Sequence, residues 1–146
     1  MARVKLQISG VPVFRASLAV RVTDLNYGKH LANDKLAGFL HEARVLYFAS
    51  LGCPDDLNFF GTGLIQADLA LEFKSEAFLG EHLCFELFID EQSTRSFAVY
   101  YRITEEQSGR LVALARTGMV AFDYSLRKVV PFSSETPEVF RVIANT

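Results

Sequence analysis

Side chains that can take part in acyl transfer lie close together between Asp24 and Asn33. Asp24 is a carboxylate that can act as a base or nucleophile towards an ester or thioester. Asn26 and His30 can hold a carbonyl group or a water molecule, and Gly28 lets a substrate approach the backbone closely. Asp, Asn and Gly are also common turn residues, so the same spacing fits a polar turn that contains a loop histidine.

This segment leads into a predicted helix. From Asn33 onward, apolar residues recur at helical spacing, namely Leu36, Phe39, Leu40, Ala43, Tyr47 and Phe48. Asn33 is expected to cap the helix, Asp34 to lie in its first turn, and Gly52 with Pro54 to end it. Since apolar residues occur on more than one face, other elements should enclose this helix. The free N–H groups of its first turn can stabilise a developing oxyanion.

Alternation of apolar and polar residues predicts strands on both sides of the helix. Residues 2–9 and 14–22 predict two segments before it, either a hairpin or one strand bent at Pro12. Later strands are predicted over 65–74, 82–90, 95–104 and 111–124. A short closing helix is predicted over 135–144. This order favours an α+β fold in which one antiparallel sheet curls round one buried helix.

Composition restricts the class of protein. The chain has 146 residues and is predicted to form a single domain, residues 1–146. The formal net charge of -2 and the absence of a Lys/Arg-rich run predict no nucleic-acid partner. No apolar run reaches the ~20 residues that cross a bilayer, so no membrane contact is expected.

The N-terminus and the cysteines predict a cytoplasmic location. Residues 1–6 alternate charge and apolar character, unlike a signal peptide. Cys53 and Cys84 are far apart and form no CxxC pair, so neither a disulfide framework nor a zinc site is expected. The 13 Phe and 5 Tyr with a mean hydropathy of +0.18 suggest that apolar surface is buried between subunits.

Several fragments resemble the hotdog-fold thioesterase family. The stretch from Val22 to Asn33 reads VTDLNYGKHLAN, and LHEAR follows in the helix at 40–44. LALEF at 69–73, AFLGE at 77–81, and GMVAFD at 118–123 followed by RKVVP at 127–131 resemble the family in the same order. Members of this family include 4-hydroxybenzoyl-CoA thioesterase and the plant acyl-carrier-protein thioesterases.

The resemblance implies a hotdog fold, in which a curved antiparallel sheet wraps one long central helix. It also implies a side-by-side homodimer with a continuous sheet, or a tetramer, with an acyl-CoA or acyl-carrier-protein thioester bound at the dimer interface. The implied activity is hydrolysis of that thioester to a free acid and coenzyme A. Neither a metal nor a cofactor is expected, because coenzyme A enters as part of the substrate.

The chain departs from the family pattern at the position of the usual catalytic carboxylate. Aligned on His30, the usual catalytic carboxylate falls on Asn26. An asparagine can orient a water molecule or hold a carbonyl, but it cannot act as a base or form an anhydride. Gly28 and Ala32 also replace asparagines of the family pattern.

Two other carboxylates are candidates for the base. Asp24 matches the first Asp of the family pattern and would point the same way as Asn26 in an extended segment. Glu42 lies on the helix about two and a half turns past its start. A cap or turn role for Asp24, and a structural pair of Glu42 with Arg44 or with an arginine across the subunit interface, are the alternatives.

The candidate site therefore has catalytic and substrate-binding members. The candidate catalytic residues are Asp24, Asn26, His30 and Glu42, and the candidate substrate-binding residues are Tyr27, Gly28 and Asn33. Lys29, Arg44 and Lys74 are candidates for contacts with coenzyme A phosphates. The missing carboxylate at Asn26 also favours a second hypothesis, a non-catalytic hotdog protein that binds an acyl thioester. A hotdog hydratase or dehydratase is the third hypothesis.

Overall fold

The computed structural model describes residues 2–142. The first strand, β1 (Phe14–Ala19), is followed by a short 3₁₀ turn at Val22–Asp24 and by the long helix α1 (Asn33–Ser50). The remaining elements are β2 (Gly63–Phe73), β3 (His82–Asp90), β4 (Ser96–Glu105), β5 (Leu111–Asp123) and the short β6 (Lys128–Val129). The predicted α+β hotdog order of a strand, one long helix and then antiparallel strands is confirmed.

All strands belong to one antiparallel sheet. The order is β1-β3-β4-β5-β2, and β6 pairs with β5. Short polar turns join β3 to β4 and β4 to β5, so neighbours in sequence are neighbours in space. β2 crosses to the far side of β5, which leaves β1 and β2 as the edges. The register of β2 shifts between Gln66 and Asp68, where a bulge interrupts its pairing with β5.

The helix packs against one face of this sheet. The alternating residues of β4 that point towards it, Phe97, Val99, Tyr101 and Ile103, are buried. On α1, the buried residues include Leu36, Leu40 and Ala43, as the helical spacing predicts. No helix within residues 2–142 is long and apolar enough to cross a membrane.

Phenylalanines fill the core near the C-terminal end of α1. The ring centroid of Phe59 lies 4.9 Å from that of Phe48 and 5.0 Å from that of Phe140. Phe97 stacks on Phe132 with centroids 5.7 Å apart. Phe59 follows the helix in a loop, yet it is only 1% exposed. The loop therefore contributes aromatic side chains to the core.

The predicted strand over residues 2–9 is wrong. This segment has the alternation of apolar and polar residues that a strand has, but within residues 2–142 it pairs with no other strand. A strand forms only where its backbone makes a ladder of hydrogen bonds with a neighbouring strand. Its contact with the rest of the chain includes a hydrogen bond from the Leu6 N–H to Glu72 Oε1 at 2.9 Å. The next predicted segment does form a strand, β1, although it ends at Ala19 instead of residue 22.

The predicted closing helix is also wrong over residues 135–142, and residues 143 and 144 lie outside the described part. The backbone there forms isolated turns, such as Phe140 N–H to Pro137 O at 3.0 Å. The Arg141 side chain donates hydrogen bonds to the backbone carbonyls of Thr136 and Ser134. A helix would have used such carbonyls for its own backbone, so side-chain capture competes with helix formation.

Candidate functional site at the helix start

The loop that leads into α1 is a narrow hairpin between residues 24 and 32. Ala32 N–H donates to Asp24 O at 2.9 Å, and Asn26 N–H donates to His30 O at 2.9 Å. Lys29 at its tip has a positive φ of 62°, which the tight reversal requires. The hairpin therefore places the side chains of Asn26 and His30 next to each other.

The amide of Asn26 is used inside this loop. Its Oδ1 accepts hydrogen bonds from Gly28 N–H at 2.9 Å and His30 N–H at 3.4 Å. Its Nδ2 lies 3.5 Å from His30 Nε2. A Cβ atom on Gly28 would lie 3.1 Å from the His30 ring, so glycine is what allows the two side chains to approach. Asn26, Gly28 and His30 thus form one small cluster.

His30 has different neighbours at its two ring nitrogens. Nδ1 lies 3.2 Å from Leu31 O, and a carbonyl oxygen only accepts, so we assign the proton of the neutral ring to Nδ1. Nε2 then carries the lone pair and can accept a hydrogen bond from the Asn26 amide nitrogen, which lies 3.5 Å away. The nearest carboxylate, Glu76 Oε1, lies 3.8 Å from Nε2. On its exposed side, His30 therefore presents the acceptor nitrogen Nε2 close to the carboxylate of Glu76.

His30 and Asn33 line a cavity of about 250 Å³, here called the helix-start cavity. Its apolar wall contains Leu31, Leu36, Phe73 and Val112. Its polar residues are His30, Asn33, Lys74, Ser75 and Glu76. An apolar slot with a few converging polar groups is the usual form of a small-molecule site.

The first turn of α1 has no side-chain cap. The residue before the helix is Ala32, and Asn33 is the first helical residue, so the predicted capping role of Asn33 is wrong. The first backbone bond runs from Leu36 N–H to Ala32 O at 3.0 Å. Within residues 2–142, the N–H groups of residues 33–35 have no hydrogen-bond acceptor. These donors and the helix dipole favour an anionic oxygen at this point.

Asp24 anchors the base of the hairpin. It is fully buried, and its carboxylate accepts from Arg21 N at 2.8 Å, Arg21 Nε at 3.1 Å and Arg21 Nη2 at 3.1 Å. The hydrogen bonds from the Arg21 side chain hold the pKa of Asp24 below its ordinary value, although burial opposes this shift. Its carboxylate therefore stays ionised and occupied by Arg21.

Asp24 and Glu42 line a second, larger cavity of about 590 Å³, here called the β1-side cavity. Its other residues include Arg21, Lys35 and the end of β1 at Leu18 and Ala19. Neither Asp24 nor Glu42 lines the helix-start cavity, which lies towards the end of β2. The structure thus brings the two predicted bases together but places them apart from His30 and Asn33.

The remaining candidates have contrasting environments. Tyr27 is fully exposed at the hairpin tip, and Lys74 lines the helix-start cavity with its Nζ 2.7 Å from Glu72 Oε2. Arg44 is only 4% exposed, and its Nη1 donates to the buried Tyr101 hydroxyl at 3.0 Å. The predicted phosphate contact of Arg44, and its pair with Glu42, are therefore wrong.

Glu76 is the charged residue of this cavity that the sequence did not single out. It lies in the polar connection after β2, and no spacing in the chain links it to His30. Their proximity comes from the isolated antiparallel bridge between His30 and Phe78. A charged turn at the end of a strand is too common to predict such a contact.

Comparison with solved structures shows the same fold at low sequence identity. A 1,4-dihydroxy-2-naphthoyl-CoA thioesterase from Synechocystis has a TM-score of 0.76 at 22% identity over 84% of this chain and 90% of that one. A gentisyl-coenzyme A thioesterase has a TM-score of 0.75 at 19% identity over 87% and 99%. The protein SAV2348 from Staphylococcus aureus, solved in complex with CoA, has a TM-score of 0.75 at 16% identity over 92% and 83%.

Comparison of the sequence with known proteins gives the family. No curated protein matches the chain. The family model of the Thioesterase-like superfamily matches residues 20–140, which include the hairpin, α1 and all strands from β2 to β6. Because this match covers most of the chain and agrees with the fold, the protein belongs to the Thioesterase-like superfamily.

Proposed function

We propose that this protein hydrolyses an acyl-CoA thioester to a free acid and coenzyme A, and that the reaction takes place in the helix-start cavity. The observation that carries the proposal is the uncapped start of α1, whose first residue, Asn33, lines this cavity. Free N–H groups at residues 33–35 are donors without acceptors in the described chain. An enzyme of this family needs such donors where the thioester oxygen becomes negatively charged.

The neighbouring side chains suit the same reaction. With the thioester carbonyl oxygen at the first turn of α1, the carbonyl carbon lies within the cavity that His30 and Asn33 line. Asn26 holds the hairpin through its hydrogen bond with His30 N–H. In this position His30 faces the thioester or the attacking water. The apolar wall at Leu36 and Val112 receives the acyl group. No cofactor takes part, because coenzyme A arrives with the substrate.

Coenzyme A is the proposed carrier. Two of the structurally similar proteins are named as thioesterases of CoA thioesters. A third was solved in complex with CoA. Lys29 is exposed at the hairpin tip and Lys74 lies at the cavity, so both can meet phosphate groups at its opening. An acyl-carrier-protein thioester would present the same reactive group and is the alternative carrier.

A second copy of the chain is proposed to complete the site. β2 is an edge strand, and it exposes Leu69 at 42% and Phe73 at 52%. Phe73 also lines the helix-start cavity, as do residues 74–76 that follow β2. Pairing of two β2 edges would join the sheets and cover these apolar side chains. The cavity would then lie at the dimer interface.

The proposed activity is tested by measuring free thiol release from a panel of short, long and aromatic acyl-CoAs. Turnover of at least one acyl-CoA is expected for the wild type. His30→Ala should lower kcat/KM by about tenfold or more, since it removes a polar group beside the reacting atoms. His82→Ala, an exposed histidine at the start of β3, is the matched control and should retain full activity.

The second candidate function is binding of an acyl thioester without hydrolysis. It is favoured by Asn26, whose amide oxygen is occupied by two backbone N–H groups and which cannot act as a base. The same panel separates the two functions when binding of each acyl-CoA is measured by calorimetry. Binding without thiol release from any member of the panel would replace the hydrolase proposal with the binding one.

A further inference from the structure

Glu76 contributes a carboxylate to the helix-start cavity. We infer that Glu76 is the general base of the hydrolysis, in place of the carboxylate that Asn26 lacks; this assignment rests on the proposed function. Glu76 Oε1 lies 3.8 Å from His30 Nε2. Among the residues that line this cavity, Glu76 supplies the acidic side chain, whereas Asp24 and Glu42 line the β1-side cavity.

The backbone round Glu76 is held from several directions. Its carbonyl oxygen accepts a hydrogen bond from Arg110 Nη2 at 3.0 Å. Leu31 N–H donates to Ala77 O at 2.8 Å, which ties this segment to the hairpin. Lys74 N–H donates to Val112 O at 2.9 Å, which ties it to β5. A side chain on such a fixed backbone can be placed reproducibly against a substrate.

Unlike its neighbours, the Glu76 carboxylate is not occupied by structural hydrogen bonds. Glu72 binds Lys74 Nζ at 2.7 Å and Leu6 N–H at 2.9 Å. Glu81 accepts from Arg110 Nη2 at 2.7 Å and from Phe78 N–H at 2.7 Å. Within residues 2–142 no hydrogen bond to the Glu76 carboxylate is formed, and its side chain is 59% exposed. It can therefore reach both water and the cavity.

The reaction uses this carboxylate to accept and return one proton. Glu76 takes a proton from water as the water oxygen forms a bond with the thioester carbonyl carbon. The resulting tetrahedral oxyanion receives hydrogen bonds from the N–H groups at the start of α1. When the C–S bond breaks, the coenzyme A sulfur leaves with the electron pair and is protonated by the Glu76 carboxylic acid. The products are the free acid and the thiol, and Glu76 is again ionised.

Replacement of the carboxylate by its amide is the direct test. Glu76→Gln keeps the size of the side chain and should lower kcat on the best acyl-CoA about 100-fold or more, because it removes a general base. The dissociation constant of a non-hydrolysable thioether analogue of that acyl-CoA should change by less than about twofold. Glu106→Gln, an exposed glutamate after β4, is the matched control and should match the wild type in both measurements.

Chemical rescue separates a base from a structural residue. Glu76→Ala should be as inactive as Glu76→Gln, and formate at high concentration should restore part of its kcat by supplying a carboxylate in the vacant space. Formate should not accelerate the Glu106→Ala variant. Circular dichroism and the thermal midpoint of each variant show whether the fold is retained.

The outcomes distinguish this inference from the proposal beneath it. A wild type without turnover on any acyl-CoA overturns the proposed function itself. An active wild type whose Glu76→Gln variant retains kcat, while Glu42→Gln or Asp24→Asn loses it, overturns the Glu76 assignment alone. Loss of activity in Glu76→Ala without rescue by formate, and with weakened analogue binding, also overturns the role as a base.

Discussion

The polar residues of the hairpin divide into those that hold the loop and those that face the cavity. Asn26 and Asp24 satisfy backbone N–H groups and the Arg21 side chain, so their oxygens are already occupied. His30 keeps Nε2 on the cavity side, near Glu76. The chemistry of this site therefore depends on a pair of residues that are distant in sequence, supported by neighbours that shape the loop.

Asn26→Asp tests whether the vacant position of the family carboxylate can be refilled. An aspartate oxygen can accept from Gly28 N–H and His30 N–H as Asn26 Oδ1 does, so the hairpin should be retained. The second carboxylate oxygen would replace Asn26 Nδ2, which lies 3.5 Å from His30 Nε2, and as an added base there it should raise kcat/KM by about tenfold or more in the thiol-release assay. Asn58→Asp is the control, since Asn58 Oδ1 accepts from Gly61 N–H in another loop. Lower activity with an unchanged thermal midpoint would show that the amide itself contacts the substrate.

Asp24→Asn tests the anchor of the hairpin through its pH dependence. The pKa of Asp24 is lowered in the folded protein, mainly by hydrogen bonds from the Arg21 side chain. Its ionised form thus contributes stability that is complete above the ordinary aspartate pKa of about 3.9, and is lost as the pH falls through the lower folded value. The substitution should lower the free energy of unfolding by about 1 kcal/mol at pH 7, a modest cost because Arg21 is largely in solvent.

Urea unfolding at pH 7 and at pH 3 measures this effect. The difference between wild type and Asp24→Asn should shrink at the lower pH. Asp56→Asn is the control, because the Asp56 carboxylate accepts no hydrogen bond within the described residues, although its backbone oxygen does. A difference of equal size at both pH values would contradict a contribution from the ionised carboxylate.

At the scale of the elements, α1 begins in a way that does not favour its own stability. Alanine is a poor residue at the position before a helix, and Ala32 leaves the N–H groups of the first turn without a side-chain acceptor. The backbone of Ala32, with φ -74° and ψ 149°, has the extended conformation that a capping serine adopts. The absence of a cap keeps these donors available to a ligand.

Ala32→Ser should therefore stabilise the protein and impair the proposed reaction. The serine hydroxyl can accept from an N–H group in the first turn and should raise the free energy of unfolding by about 1 kcal/mol. The same hydrogen bond occupies a donor for the oxyanion, so kcat should fall severalfold. Ala49→Ser, at an exposed position in the last turn of α1, should produce neither effect. Stabilisation with full activity would show that these N–H groups do not bind the oxyanion.

At the scale of the whole molecule, apolar side chains are well covered at the C-terminal end of α1 but partly exposed along β2. The C-terminal end of α1 is closed by packed phenylalanines, including Phe48, Phe59 and Phe140. The edge strand β2 leaves Leu69 and Phe73 partly exposed, and Phe73 lines the helix-start cavity. Exposed apolar side chains on an unpaired edge strand are expected where another chain binds.

Leu69→Glu should weaken self-association. A carboxylate on this edge would be buried between the two copies without a counter-charge, so the subunits should separate. Light scattering after size-exclusion chromatography should show a dimer or tetramer for the wild type and a shift towards monomer for the variant. Leu126→Glu is the control, since Leu126 is 62% exposed in the turn after β5. A wild type that is only monomeric at micromolar concentration would contradict a site shared between subunits.

Much of the fold follows from local sequence. The strand predicted over 82–90 coincides with β3, and the helix predicted from Asn33 begins there, because periodicity of two or of 3.6 residues is a property of neighbouring residues. The same rule fails at residues 2–9, where alternation is present but no partner strand is. It also fails at 135–142, where the Arg141 side chain binds backbone carbonyls.

By itself, the sequence determined the family resemblance, the helix and a polar turn that contains Asn26, Gly28 and His30, since the contacts of such a turn lie within a few residues of one another. Only the tertiary structure decided which carboxylates share a cavity. The packing of α1 beside β1 places Glu42 with Asp24, and the bridge between His30 and Phe78 places Glu76 at the helix start. Such partners depend on how the strands pair across the sheet, and the pattern of one short segment contains no information about that pairing.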